Sequence, residues 1–291
     1  MDWLVSALGA GVVLVVLRDI FHTLGHPGAQ GSLSRLVLGT IWRLSRRFGG
    51  SSRLAGLAGP LAMLTVIGVW GVLAVIGWAL LYWPHMPEGF VTVSGSAGHD
   101  TALLDALYIS MVTISTLGFG DIVPATAWLR IATPLEALFG FALLTVAVSW
   151  VLQIYPALTR RRVLAIRLTL LRRADTFNTL PELDSAMAAG LLENLATSIV
   201  GVRVDLSEYA ETYYFREDEP GTSLAATLGY AAELGKAGAA SHRADVRLAA
   251  AFLNCSLADF ASVLDDRFLH TGGTLPELLD AYAADHGHPR I

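Results

Sequence analysis

Apolar positions fall into three long stretches and then change character. Residues 3–20 are apolar up to Arg18 and Asp19, residues 61–83 carry no charge, and residues 132–155 are interrupted by one ionisable side chain, Glu136. At 1.5 Å per residue, 18 residues make about 27 Å of helix and 23 make about 34 Å, the scale of a hydrocarbon core of about 30 Å. Trp78, Tyr82 and Trp83 gather at one end of the second stretch, as interfacial anchors do. Beyond Arg173 the pattern turns amphipathic and predicts helices over about 182–200, 222–238, 241–269 and 275–285, with breaks at 217–221 and 271–274.

Residues 33–48 show a different periodicity. Leu33, Leu36, Val37, Ile41, Leu44 and Phe48 fall on one helical arc, with Arg35, Arg43 and Arg46 beside or opposite it. Basic residues flanking an apolar stripe predict a helix lying on the inner membrane surface, against anionic lipid. Packing of this helix on the soluble half is the competing reading. The mixed, turn-rich segment 86–101 predicts an extracellular loop.

Charge divides the chain. Of 20 Lys+Arg and 25 Asp+Glu, residues 1–173 hold 13 and 7, whereas residues 174–291 hold 7 and 18. A basic, apolar half followed by an acidic half reads as a membrane domain with a helical cytosolic domain attached. The acidic balance argues against nucleic acid. It could also gather cations near the inner mouth of a pore. Arginines cluster in 18–59 and 160–173, and 84–129 has no Arg or Lys. Positive residues stay inside, so the N-terminus is expected outside, 18–59 inside, the 84–129 loop outside and the C-terminal half inside. Cys255 is the only cysteine, which excludes an intrachain disulfide and suits a reducing compartment. The first residues lack the positive n-region of a cleaved signal peptide.

The chemistry sits between the second and third stretches, where 113–121 read Thr-Ile-Ser-Thr-Leu-Gly-Phe-Gly-Asp. Gly118 and Gly120 give backbone freedom that a β-carbon forbids. The carbonyls of Thr116, Leu117, Gly118, Phe119 and Gly120, with the Thr116 hydroxyl, could then replace the water around a dehydrated cation. Such a strand has no backbone partners and is tolerable at membrane depth only where it lines a cavity.

From about residue 102 to 155, and most closely over 106–124, the chain resembles the potassium-channel superfamily. Joined to the apolar, amphipathic and charge patterns above, that resemblance gives an all-α membrane protein: a pore domain (60–157) that the resemblance implies, and, from the patterns, an added N-terminal transmembrane helix (1–22), a cytosolic linker with the amphipathic helix (23–59) and a helical cytosolic domain (158–291). Within the pore domain it implies an outer helix at 61–83, a pore helix at 101–114, the filter at 116–120 and an inner helix at 131–155. It also implies a homotetramer in the plasma membrane, because one strand offers one carbonyl per level and four loops must surround each ion. Potassium is the permeant ion; no cofactor and no enzymatic activity are implied.

Two departures from the family pattern matter. Phe119 replaces the usual Tyr, leaving its carbonyl but making the surroundings of the filter more apolar. Val112 stands where a carboxyl partner behind Asp121 is often found. Tyr108, Val112, Asp121 and Glu136 are the expected filter supports, with Glu136 accepting hydrogen bonds from the back of the filter or pore helix; pairing with Arg130 or water is the alternative. Gly140 is a candidate hinge or close-packing point. Phe141, Leu144, Val148, Ser149 and Leu152 would line the cavity and gate.

Other patterns are weaker. Asp19, His22 and His26 share a spacing conceivable for a metal or proton sensor, but Gly25 and Pro27 break the helix there. Tyr209, Tyr213, Tyr214 and Phe215 read as core. No Gly-x-Gly-x-x-Gly module and no span with Arg at every third position is present. A weakly selective cation channel and a non-conducting sensor with a working helical domain are the rival readings. An unknown cytosolic ligand or partner, together with membrane lipid, completes the expected contacts.

Overall fold

The computed structural model describes residues 2–25, 31–48, 58–92 and 102–288. The chain forms two compact units, Met1–Thr40 with Leu61–Leu152, and Ile41–Pro60 with Gln153–Ile291. It is an all-α membrane protein. Among the described residues, five helices are long and apolar enough to cross a bilayer.

In the first unit, α1 (Asp2–Gly25) lies along α3 (Ala58–Tyr82), and α2 (Ser32–Phe48) begins between them in sequence. A Cβ on Gly9 would fall 2.5 Å from the Gly77 carbonyl oxygen, and one on Gly77 would fall 2.8 Å from Val13. Small residues let apolar helices approach closely enough for packing to hold them in lipid. After α3 come β1 (Phe90–Thr92), α4 (Ala102–Ile114), β2 (Ile122–Pro124) and the 45-residue α5 (Leu129–Arg173). The strands pair antiparallel, with Phe90 opposite Pro124 and Thr92 opposite Ile122. Three residues are too few to show an alternating pattern, so the sequence reading of 86–101 as loop missed this ribbon. Trp78, Ala79 and Tyr82 of α3 pack with Phe90, with Ala106 and Ile109 of α4, and with Leu129 of α5. Trp78 and Tyr82 are therefore core residues rather than interfacial anchors; Trp83 alone of the three is exposed.

The predicted inner helix, 131–155, continues without a break to Arg173. Pro156 removes a single hydrogen-bond donor and does not end it. Past that point the helix belongs to the second unit, and three successive arginines hold it there. Arg160 forms a two-point ion pair with Asp205, its Nε 2.8 Å from Oδ2. Arg161 donates to the carbonyls of Thr212 and Phe215, and Arg162 lies 2.9 Å from Glu217. Residues one apart differ by about 100° around a helix, so three in a row reach three partners.

The rest of the second unit comprises α6 (Thr176–Thr179), α7 (Ser185–Glu208), α8 (Leu224–Ala239), α9 (Ala244–Leu264) and α10 (Leu275–Asp285). Leu192, Leu195 and Ile199 of α7, Leu228 and Leu234 of α8, and Leu253, Leu257 and Phe260 of α9 are fully buried. That common core accounts for the apolar content of α7 and α9. The Thr274–Glu277 capping box starts α10.

Trp42 of α2 is buried in this unit. Its indole N–H donates to Asp285 at 3.0 Å, and its ring lies 5.2–5.8 Å from those of Tyr213, Tyr214 and His286. Within this unit Trp42, which lies off the predicted apolar arc, packs on Tyr213, Tyr214 and His286, while Leu44 stays exposed. Tyr213 and Tyr214 are core, as their sequence context suggests.

His286 is enclosed by the same cluster. Its Nδ1 lies 3.1 Å from the Tyr282 carbonyl and its Nε2 2.9 Å from that of Tyr213. Burial and the nearby Arg161 charge hold its pKa down to about 4, against the opposing pull of the two carbonyls and Asp285. Below about pH 6.5 the unfolded chain binds a proton that the folded one refuses, so this stability contribution is present above that pH and is lost as the pH falls toward 4. Thermal melting of the full-length protein in detergent is expected to drop by several degrees between pH 7.5 and 5, with a flatter profile for His286→Gln. Parallel profiles would remove His286 as the cause.

Candidate functional site

The loop from Ser115 to Asp121 follows directly from α4, whose last turn fixes its start. Thr116 N–H donates to Thr113 O at 2.9 Å, and the N–H groups of Leu117 and Gly118 both reach Val112 O, at 3.0 and 3.4 Å. Every second residue is left-handed: φ is +60° at Thr116, +57° at Gly118 and +77° at Gly120, with no positive φ at Leu117 or Phe119. For Thr, with a β-branched side chain, that region is costly. Gly enters it without penalty, which explains the two glycines. Alternating the handedness of successive residues turns successive peptide planes, so their carbonyls can share one side. Leu117 and Phe119 are large apolar side chains left 61% and 65% exposed.

Beyond the loop, Tyr108 of α4 donates its hydroxyl to Asp121 at 2.6 Å, and the Asp121 carboxylate also accepts Ile122 N–H at 3.1 Å. The Tyr108 hydrogen bond holds the Asp121 carboxyl below its ordinary value. Asp121 is thus paired with the Tyr108 phenol.

Glu136 lies on α5 and is fully buried. It accepts the Tyr82 hydroxyl of α3 at 2.7 Å and the Ser110 hydroxyl of α4 at 2.6 Å. One carboxylate therefore ties α3, α4 and α5 together. Arg130 is engaged elsewhere, donating to Pro124 O. Tyr82 and Ser110 were not legible as its partners: one resembles an anchor and the other a neutral helix residue. Ser110 also lies 3.1 Å from Val75 O, so Glu136→Gln retains a workable network. Glu136→Leu removes the buried acceptor shared by the Tyr82 and Ser110 hydroxyls and is expected to cost about 1–3 kcal/mol, read as a lower melting temperature than either wild type or the Gln variant. Equal melting of the Leu variant would show that the polar tie contributes nothing.

Four residues along α5, Gly140 meets the end of α4. A Cβ there would fall 2.0 Å from the Ile114 carbonyl oxygen. The helix is continuous through this point, so what the geometry displays is close approach. Below it, Phe141, Leu144, Val148 and Leu152 recur along one exposed face, with Ser149 beside them.

Asp19 has a different occupation from the one its spacing with His22 and His26 suggested. Its carboxylate accepts Leu33 N–H at 2.9 Å, Ser34 N–H at 3.3 Å, the Ser34 hydroxyl at 2.8 Å and the Trp70 indole N–H at 2.9 Å. It caps the N-terminus of α2 from another helix, where the unpaired N–H groups and the helix dipole favour an anion. Gly31 precedes that helix because any Cβ would fall 2.3 Å from Asp19 Oδ1. His26 lies outside the described residues.

A family model described as "Ion channel" matches residues 65–156, which span α3, the loop and the upper part of α5. The uncharacterized membrane protein YdjJ of Bacillus subtilis is 24% identical over 160 residues, 54% of this chain and 46% of that protein. Two-pore potassium channel 5 of Arabidopsis thaliana is 45% identical over 49 residues, 17% of this chain and 12% of that one. Protein LctB of Bacillus caldotenax is 31% identical over 127 residues, 41% of this chain and 89% of that protein. The chain thus spans less than half the length of the first two. No solved structure matches it significantly.

Proposed function

Because this chain belongs to the pore-loop potassium-channel superfamily, we propose that this multi-pass ion channel is potassium-selective, with four copies surrounding one conduction path and Thr116, Leu117, Gly118, Phe119 and Gly120 supplying the ion-coordinating carbonyls. The observation that carries the reading is the alternation of backbone handedness across 116, 118 and 120. A ladder of carbonyls aimed one way can substitute for a hydration shell, whereas one strand alone gives too few ligands at each level. The exposure of Leu117, Phe119 and the Phe141–Leu144–Val148–Leu152 face supports neighbouring copies around the axis.

In this arrangement Tyr108, Val112, Asp121 and Glu136 support the filter from behind, Gly140 seats the inner helix against the pore helix, and Phe141, Leu144, Val148, Ser149 and Leu152 line the inner cavity. The N-terminus lies outside and the helical domain is cytoplasmic, following the arginine distribution. The protein moves ions down their gradient and catalyses no bond chemistry. A weakly selective cation channel is the second reading, favoured by one feature: the side chains of Leu117 and Phe119, within the loop itself, are apolar and offer the filter no hydrogen bond.

Cation flux into liposomes holding the purified protein tests this. Potassium flux well above sodium flux, blocked by barium, is the expected result. Equal fluxes would favour the weakly selective reading. Absence of flux under every ionic gradient would favour a sensor whose helical domain does the work.

A further inference from the structure

Trp70 of α3 and Trp150 of α5 are among the largest fully buried side chains, with ring centroids 5.5 Å apart and planes tilted by 33°. An indole buried this deeply requires an acceptor for its N–H. Trp70 finds it in Asp19 Oδ2. Asp19 is itself fixed by three donors from the start of α2, so it cannot follow the ring if Trp70 turns. A single line of contacts therefore runs from the capped end of α2, through Asp19 and Trp70, to Trp150 on α5.

The placement of Trp150 gives that line a consequence. Residues two apart on a helix differ by about 200°, so Trp150 stands opposite Val148 and Leu152. It lies ten residues below Gly140, about 15 Å along the helix axis. Gly140 pins the upper part of α5 against Ile114, and the tryptophan pair pins the lower part. Turning α5 to change the face it presents requires Trp150 to slide across Trp70.

We infer that Trp70 is a positioning residue for conduction: held by Asp19, it grips Trp150 and sets the rotation of α5, and so decides whether Val148 and Leu152 face the ion path. The inference rests on the channel reading, in which that stripe lines the pore. Trp70→Phe keeps the aromatic contact and removes only the donated hydrogen bond. Trp150→Ala removes the contact itself. Asp19→Asn weakens the acceptor while keeping its shape.

Single-channel recording of the full-length protein in planar bilayers reads the effect. Losing the hydrogen bond to the carboxylate in Trp70→Phe is expected to shift the closed-to-open ratio about tenfold or more; Asp19→Asn, which weakens that bond, and Trp150→Ala, which removes the ring contact, shift it in the same direction, with unitary conductance and potassium-to-sodium preference unchanged. A second readout does not need conduction. In a Cys255→Ser background, the rate at which a water-soluble thiol reagent labels Leu152→Cys should change with Trp70→Phe as well. Flux with neither open probability nor labelling altered by Trp70→Phe would overturn the inference. A change in conductance or selectivity instead would overturn it too, showing that the pair only maintains the filter. Altered labelling in a protein that passes no ions would uphold the positioning role and sink the channel reading.

Discussion

Gly118→Asp is expected to abolish potassium flux while leaving the protomer folded. At φ +57° a side chain is strained, although Asp is among the residues that tolerate the left-handed region. Among the described residues of one chain, nothing lies within 4 Å of the position a Cβ would take. The substitution therefore meets no obstacle until the copies assemble. Around the proposed axis it brings four carboxylates to the level of the carbonyl ladder, where they bind cations too tightly to release them or force the strands apart. The measurements are potassium flux in liposomes and thermal melting of the same preparation. Flux lost with melting within a few degrees of wild type is the expected pair of results. Retained flux would place the conduction path elsewhere.

Gly140→Ala separates two roles for that glycine. As a hinge, Gly140 supplies flexibility, and Ala would stiffen the helix by up to about 1 kcal/mol and raise its stability. As a contact, it has no room for a methyl group: the new carbon would lie 2.0 Å from Ile114 O and 2.8 Å from its carbonyl carbon. Those are backbone atoms of the last residue of α4, and displacing them displaces the loop that follows. Overpacking of this kind costs about 1–3 kcal/mol. We expect a lower melting temperature together with reduced or unselective flux. Unchanged or higher melting with altered open probability would restore the hinge.

The unusual backbone of the loop at 116–120 was legible because its demand is local. The need for φ above zero at alternate positions selects glycine at 118 and 120, and five consecutive residues carry the pattern. Thr116 adopts the same handedness with a β-carbon, which composition does not signal. The transmembrane stretches were legible because a bilayer imposes length and exclusion of charge on each helix separately. Glu136 stood out as a carboxylate where carboxylates are rare. Its direct contacts, Tyr82 and Ser110, come from helices 54 and 26 residues away in sequence and follow no spacing rule.

Asp19 shows the limit most clearly. Its spacing with two histidines said nothing of its actual partners, which are the start of the next helix and a tryptophan 51 residues on. The end of α5 was similarly hidden. Helical propensity and a lone proline do not say where a helix stops when a second unit grips its arginines. By itself the sequence determined which segments could enter a membrane, where the acidic helical half begins, and which loop could coordinate a cation, since each depends on neighbouring residues and on the solvent they face. Only the tertiary structure decided which buried carboxylate meets which donor, that Gly140 is a contact, and that Trp70 and Trp150 share one core. Those pairings are made across distant segments, and the energy of a buried polar or packed group depends on the partner that arrives there.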